Sequence, residues 1–207
     1  MPGLTETELS RAAQILAQRD PDLARIHREC GDPPLWARSP GFPTLVHIVL
    51  EQQVSLASAQ AAFDRLSAAC HGRITPRRTL VFTDVQMKQI GFSRQKAGYV
   101  RELARAVVNH QFDPAALELM HDEAVREALI QLKGIGPWTA DIYLLMVLLR
   151  PDVWPRGDLA LAVAVQNVKG LNTRPTYAEL AEIAEPWKPW RAVAARMFWH
   201  YYLSQRK

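Results

Sequence analysis

The chain is 207 residues long, 48% hydrophobic and 22% charged, with a formal net charge of +4, ordinary globular values that exclude a disordered, collagen-like or coiled-coil protein. Two cysteines, Cys30 and Cys70, are too few for a disulfide framework, a four-thiolate zinc site or a cysteine-ligated iron–sulfur cluster. The acidic start lacks the regions of a secretory signal, and the longest apolar run, Ile142 to Leu149, is far below the roughly 20 residues that span a bilayer. A soluble, cytoplasmic protein with no membrane contact is expected.

Thr5-x-x-Glu8 is a capping-box pattern, and Leu9, Ala12, Ala13 and Leu16 follow at helical spacing until Asp20-Pro21 ends the element. Gly31 to Pro43 holds four prolines and is irregular, the best boundary between lobes. Leu45, Ile48, Val49 and Gln52 then share one helical face, and Ser55 caps a helix carrying Ala59, Ala62, Phe63 and Leu66. Thr83-x-x-Gln86 opens a short helix closed by Gly91, and Ser93 caps the next, with Ala97, Val100, Ala104 and Val107 inward. Asp113-Pro114 has the order of a helix start. Val125, Ala128, Leu129 and Leu132 form a further stripe up to Gly134; Thr176-x-x-Glu179 is another capping box, and Trp190, Ala194, Met197, Phe198 and Tyr201 mark the last helix. No stretch alternates long enough to require a strand, so an all-α fold is expected, with one lobe at 44–150 and the other at 1–43 plus 151–207.

The informative segment is L-K-G-I-G-P-W-T-A, from Leu132 to Ala140. Gly134 and Gly136 around Ile135 permit a tight hairpin whose backbone can approach another molecule, with Ile135 plugging the turn into the core. Pro137 then opens a helix whose N-terminus favours a phosphate. An ordinary interhelical turn is the plainer reading of two such glycines, and the flanking pattern weighs against it.

L-K-G-I-G-P-W-T-A with R-G-D-L-A at Arg156 to Ala160 resembles the helix–hairpin–helix DNA glycosylase superfamily, and within it the DNA-3-methyladenine glycosylase II family. V-L-E-Q-Q-V-S at Val49, G-F-S-R-Q-K-A-G-Y-V at Gly91 and W-K-P-W-R at Trp187 match in family order. The resemblance implies a two-lobed fold with a central cleft for DNA and an extruded base. It also implies the monofunctional branch, because members that nick DNA carry a lysine where this chain has Trp138, and Lys133 lies before the first glycine. Asp158 matches the catalytic aspartate, whose carboxylate stabilises oxocarbenium character on the sugar and orients or deprotonates the attacking water. An Asp before L-A-L-A-V-A-V is also an expected helix N-cap, and both roles can hold.

For the base pocket the resemblance implies Trp138 and Trp199, with core packing as the alternative for each; one of Phe198 and Trp199 is expected inward. The family's pocket tyrosine falls at Ile142, leaving Tyr143, one position on, as the candidate replacement. Gln53 lies where relatives place the wedge that fills the gap left by the flipped base, and a plain surface glutamine is an equal reading. Gly134, Ile135, Gly136, Thr139, Lys133 and Gln53 make up the expected DNA-contacting set. Arg150, Arg156 and Lys169 add to a basic surface or merely solvate a face, Trp36 reads as a lid over the core, His47 as a packed or surface histidine, Asp141 as a surface or first-turn residue, and Asp152 as a loop residue. No side-chain metal site and no required cofactor are expected, though hairpins of this family can hold a monovalent cation on backbone carbonyls. The expected activity is excision of 3-methyladenine and 7-methylguanine from damaged double-stranded DNA in base excision repair, by a monomer. The rivals are a glycosylase for deaminated or oxidised bases and a non-catalytic module that binds damaged DNA.

Overall fold

A computed structural model describes residues 3–205, and among them there are twelve α-helices, two short 3-10 turns and no strand. The helices are α1 (Glu6–Arg19), α2 (Pro21–Cys30), α3 (Phe42–Glu51), α4 (Leu56–Ala69), α5 (Pro76–Leu80), α6 (Asp84–Ile90), α7 (Arg94–Val108), α8 (Asp122–Ile130), α9 (Pro137–Met146), α10 (Leu159–Lys169), α11 (Tyr177–Ala184) and α12 (Arg191–Ser204). All three expected capping boxes form: Thr5 with Glu8, Thr83 with Gln86 and Thr176 with Glu179 each exchange both hydrogen bonds. Among the described residues no helix is long and apolar enough to cross a membrane.

One local expectation is met and carried further, and another fails. Asp20-Pro21 ends α1 but also starts α2, because Asp20 Oδ1 accepts from the N–H groups of Asp22 and Leu23 while Pro21 takes the first helical position. Asp113-Pro114 has the same order, yet only a 3-10 turn, Ala116–Leu119, follows. That turn buries Leu117 and leaves Leu119 94% exposed, so no apolar stripe exists to extend it.

The chain forms two compact units, Arg38–Tyr143 and the remainder on either side of it; their boundaries fall before the expected 43/44 and 150/151. In Arg38–Tyr143 the core is built from Leu45, Val46, Ile48 and Val49 of α3, Ala59, Ala62 and Leu66 of α4, Val100 and Ala104 of α7, and Val125 and Leu129 of α8. His47 is packed, stacked on Phe63 with centroids 4.3 Å apart, and burial lowers its pKa. Asp141 is a correction: it is 1% exposed, with Oδ1 accepting from Arg126 Nε at 2.8 Å.

In the other unit α12 is buried over eight successive residues from Ala192 to Trp199, apolar but for Arg196, so that every side of this stretch faces the interior. Enclosing Phe198 and Met197 contributes roughly 1.5–3 kcal/mol each. Asp20 joins the ends of this unit: Oδ2 accepts from Lys169 Nζ and Trp187 Nε1, both at 3.0 Å. Burial pulls its carboxyl pKa up, but these donors hold it below the usual value. Arg196, wholly buried, donates to three backbone carbonyls: Leu35 at 3.0 Å, Ala192 at 3.0 Å and Leu145 at 2.6 Å. Burial pushes its pKa down to about 9. Asp152 lies in a loop, as expected, and pairs with Arg191 at 2.8 Å.

Candidate nucleic-acid interface and reaction centre

The hairpin joins α8 to α9 within Arg38–Tyr143, and its two glycines do different work. Gly134 has φ +85°, and a Cβ built there would stand 2.1 Å from the Tyr99 ring, so this glycine is required by packing inside the protein. Gly136 has no such conformation, and a Cβ there meets nothing within 4 Å. Its carbonyl accepts from Ala140 N–H at 3.1 Å, which starts α9 with the positive end of its dipole at this point. Ile135 is 5% exposed and plugs the turn, with its N–H on the Leu132 carbonyl. Lys133 is exposed and Trp138 half-buried. Thr139 is 2% exposed and turned inward, its Oγ1 accepting from Gln52 Nε2 at 3.0 Å.

The same Gln52 nitrogen donates to the Gly134 carbonyl at 2.9 Å, so the turn after α3 is tied directly to the hairpin. Gln53, next along, is exposed and has φ +57°, a conformation rare for a residue with a side chain. Val54 at 44% and Leu56 at 60% exposure leave apolar surface beside it. Tyr143 is fully buried, and that burial pushes its hydroxyl up to about 12. Its ring belongs to the core of this unit and presents no face to solvent.

Asp158 belongs to the other unit, where it is the N-cap of α10: Oδ1 accepts from Leu161 N–H at 2.7 Å. A second donor, Trp199 Nε1, reaches the same oxygen at 3.2 Å from α12. Cap and indole together restrict the carboxylate to one orientation, with 9% of the residue exposed at the start of the helix. Phe198 and Trp199 are both inward, at 0% and 7% exposure. Of the expected basic surface, Arg150 is 3% exposed, and Lys169 pairs with Asp20 and Asp22; neither is a solvated phosphate contact.

Trp36 lies against the buried Trp199. It is half-buried, its ring stands edge-on to Trp199 with centroids 6.4 Å apart, and its φ is +49°. It thus belongs to the aromatic group beside Asp158, which an irregular proline-rich stretch gives no period to reveal. Gln52 left a faint sign, a polar residue in register with the apolar face of α3 but one position past its end. No group of three or more His, Cys, Asp or Glu side chains suited to a metal ion occurs among the described residues.

Residues 46–189 match the model of the HhH-GPD superfamily of base excision DNA repair proteins. The chain is 25% identical over 201 residues to the alkylbase DNA glycosidase-like protein mag2 of Schizosaccharomyces pombe, covering 94% of each protein. It is 29% identical over 161 residues to DNA-3-methyladenine glycosylase 1 of the same yeast, covering 76% of this chain and 71% of that one. The solved structure of S. pombe 3-methyladenine DNA glycosylase Mag1 in complex with abasic DNA superposes with a TM-score of 0.85 at 27% identity, covering 91% of this chain and 95% of the other.

Proposed function

The chain belongs to the HhH-GPD superfamily of base excision DNA repair proteins, and on that premise we propose that it is a monofunctional glycosylase releasing alkylated purines, 3-methyladenine and 7-methylguanine foremost, from duplex DNA. The observation that carries the reading is Asp158, whose carboxylate oxygen is held by both Leu161 N–H and Trp199 Nε1. A carboxylate so fixed stabilises positive charge developing on a deoxyribose as its glycosidic bond breaks, and can receive a proton from an attacking water. The purine leaves with the bonding electrons, water supplies the hydroxyl at C1′, and an abasic site remains.

An alkylated purine is already cationic and a good leaving group, so the demand on a general acid is small. Trp199 and Trp36 supply aromatic surface beside Asp158, and a cation over a desolvated ring gains about 2 kcal/mol. Trp138 as a further contact with the base rests on the sequence pattern, and Tyr143, fully buried, is assigned none. Gly136 and the start of α9 receive a backbone phosphate, with Lys133 exposed next to the turn, and Gln53 enters the space the base vacates. The protein acts as a monomer and requires no cofactor in this scheme. The hairpin carbonyls of Leu132, Gly134 and Gly136 already accept from Ile135, Gln52 and Ala140, and each keeps a second lone pair. A monovalent cation there fits as a shared ligand.

The test is to incubate the protein with duplex carrying methylated purines, identify the released bases, and treat parallel samples with borohydride. Free 3-methyladenine or 7-methylguanine, intact strands until alkali is added, and no trapped protein–DNA adduct are expected. Release confined to deaminated or oxidised bases would move the substrate class, and a trapped adduct would overturn the monofunctional assignment.

A further inference from the structure

Two elements that the glycosylase reading brings to DNA, the turn after α3 and the hairpin before α9, are held together by side chains with no evident task of their own. Gln52 spans from the turn to the hairpin, donating to Gly134 O and Thr139 Oγ1. From the start of α7, Lys96 Nζ donates to the carbonyls of Leu50 at 2.6 Å and Gln52 at 2.8 Å. Tyr99, three residues further and so on the same helical face, sets its ring against Gly134. One end of α7 therefore grips both elements, and all of these residues lie within Arg38–Tyr143.

We propose that Lys96 and Gln52 are positioning residues that hold the Gln53 turn in fixed register with the hairpin, so that seating a phosphate on the hairpin drives Gln53 into the duplex and favours base extrusion. The inference rests on the glycosylase reading and adds to it the coupling between backbone grip and flipping. A left-handed residue with a side chain persists only where its surroundings over-determine it, and Gln53 is such a residue. The ammonium of Lys96 sits at the negative end of the α3 dipole on two terminal carbonyls, an arrangement of charge-assisted hydrogen bonds that keeps the turn from relaxing. Without it the hairpin still binds phosphate, but the tip beside it is no longer aimed.

The experiment compares Lys96→Met, Lys96→Arg and Gln52→Met with the parent protein on three DNAs: undamaged duplex, duplex with 7-methylguanine opposite cytosine, and duplex with 7-methylguanine in a single-nucleotide bulge. A 2-aminopurine next to the lesion reports extrusion. Lys96→Met and Gln52→Met are expected to bind undamaged duplex within about twofold of the parent and to release the paired base at least about tenfold more slowly, with a weaker fluorescence rise. On the bulged base, already unpaired, their rates stay within about threefold, and Lys96→Arg restores most of the paired rate. Gln52→Met keeps the test open should Lys96→Met unfold. Equal losses on paired and bulged substrates, or parental rates on the paired one, overturn the proposal. If the parent protein itself releases no base, the glycosylase reading fails instead, and the fluorescence comparison still decides whether Lys96 and Gln52 govern extrusion.

Discussion

Asp158→Asn separates the two duties of Asp158. As an N-cap, asparagine is equivalent to aspartate, and its Oδ1 can keep both the Leu161 N–H and the Trp199 Nε1 contacts, so helix α10 and its packing stay as they are. Thermal unfolding is therefore expected within about 0.5 kcal/mol of the parent, the usual span for a change that removes no packing. The charge is what disappears. Opposite charges about 4 Å apart at the effective dielectric of a partly enclosed site interact by about 4 kcal/mol, which is about 10³ in rate. With 9% of the residue open to solvent, some screening reduces that figure, and a loss of about 10² to 10³ in single-turnover base release is the expectation. Duplex affinity should hardly move. The assay pairs calorimetry with quantified alkali-labile sites in methylated duplex. A variant that is folded and excises at near-parental rate would refute the catalytic assignment and leave Asp158 a helix cap alone. A rate loss matched by an equal loss of folded protein would do the same.

Trp199→Phe keeps an aromatic ring near Trp36 but removes the donor to Asp158; base release should fall roughly 10-fold, with a stability loss of about 1–3 kcal/mol for a charge-assisted hydrogen bond, measured by denaturant titration. The two hairpin glycines should separate cleanly. Gly134→Ala meets the Tyr99 ring in a left-handed backbone and should destabilise by roughly 2–5 kcal/mol, whereas Gly136→Asp should fold normally and weaken binding to damaged and undamaged duplex alike, most at low salt. Tight binding by folded Gly136→Asp at low salt would remove the phosphate role from the hairpin. Asp20→Asn keeps the α2 cap but loses the pair with Lys169. Since the folded carboxyl pKa is depressed, its contribution, on the order of 1 kcal/mol, is present above the unfolded value and vanishes as pH falls through the folded one. The stability gap between parent and variant should close below about pH 4, and a gap constant down to pH 2 contradicts the pairing.

Local rules were readable in the sequence wherever a helix advertised its own end. Ser55, Ser93 and the three capping boxes stand where their spacing puts them, because a cap is made by residues three apart. R-G-D-L-A led to an aspartate that both caps and faces an indole, though only the first contact is local. What stayed hidden joins distant parts of the chain. Gln52 and Gly134 are 82 positions apart and Asp158 and Trp199 41 apart, and neither periodicity nor composition carries a signal for such pairs. Likewise Arg150 reads as one more basic residue near the hairpin motif; its burial is decided by packing, which no charge count contains.

Arg196 makes one position of α12 unusually intolerant of change. Its planar fork meets carbonyls from three stretches of chain, around Leu35, Leu145 and Ala192, and a lysine ammonium, with its donors splayed from one point, could not reproduce that geometry. The stretch around Leu35 has no helix of its own and is rich in proline, so few amide protons are available to secure it by ordinary backbone pairing. Anchored to the most buried helix of its unit, that irregular segment is drawn into the same cooperative opening as α12 rather than fraying by itself. A chain lacking this guanidinium would let the segment bearing Trp36 open in small, frequent excursions, to which amide exchange and proteases respond long before the helices melt.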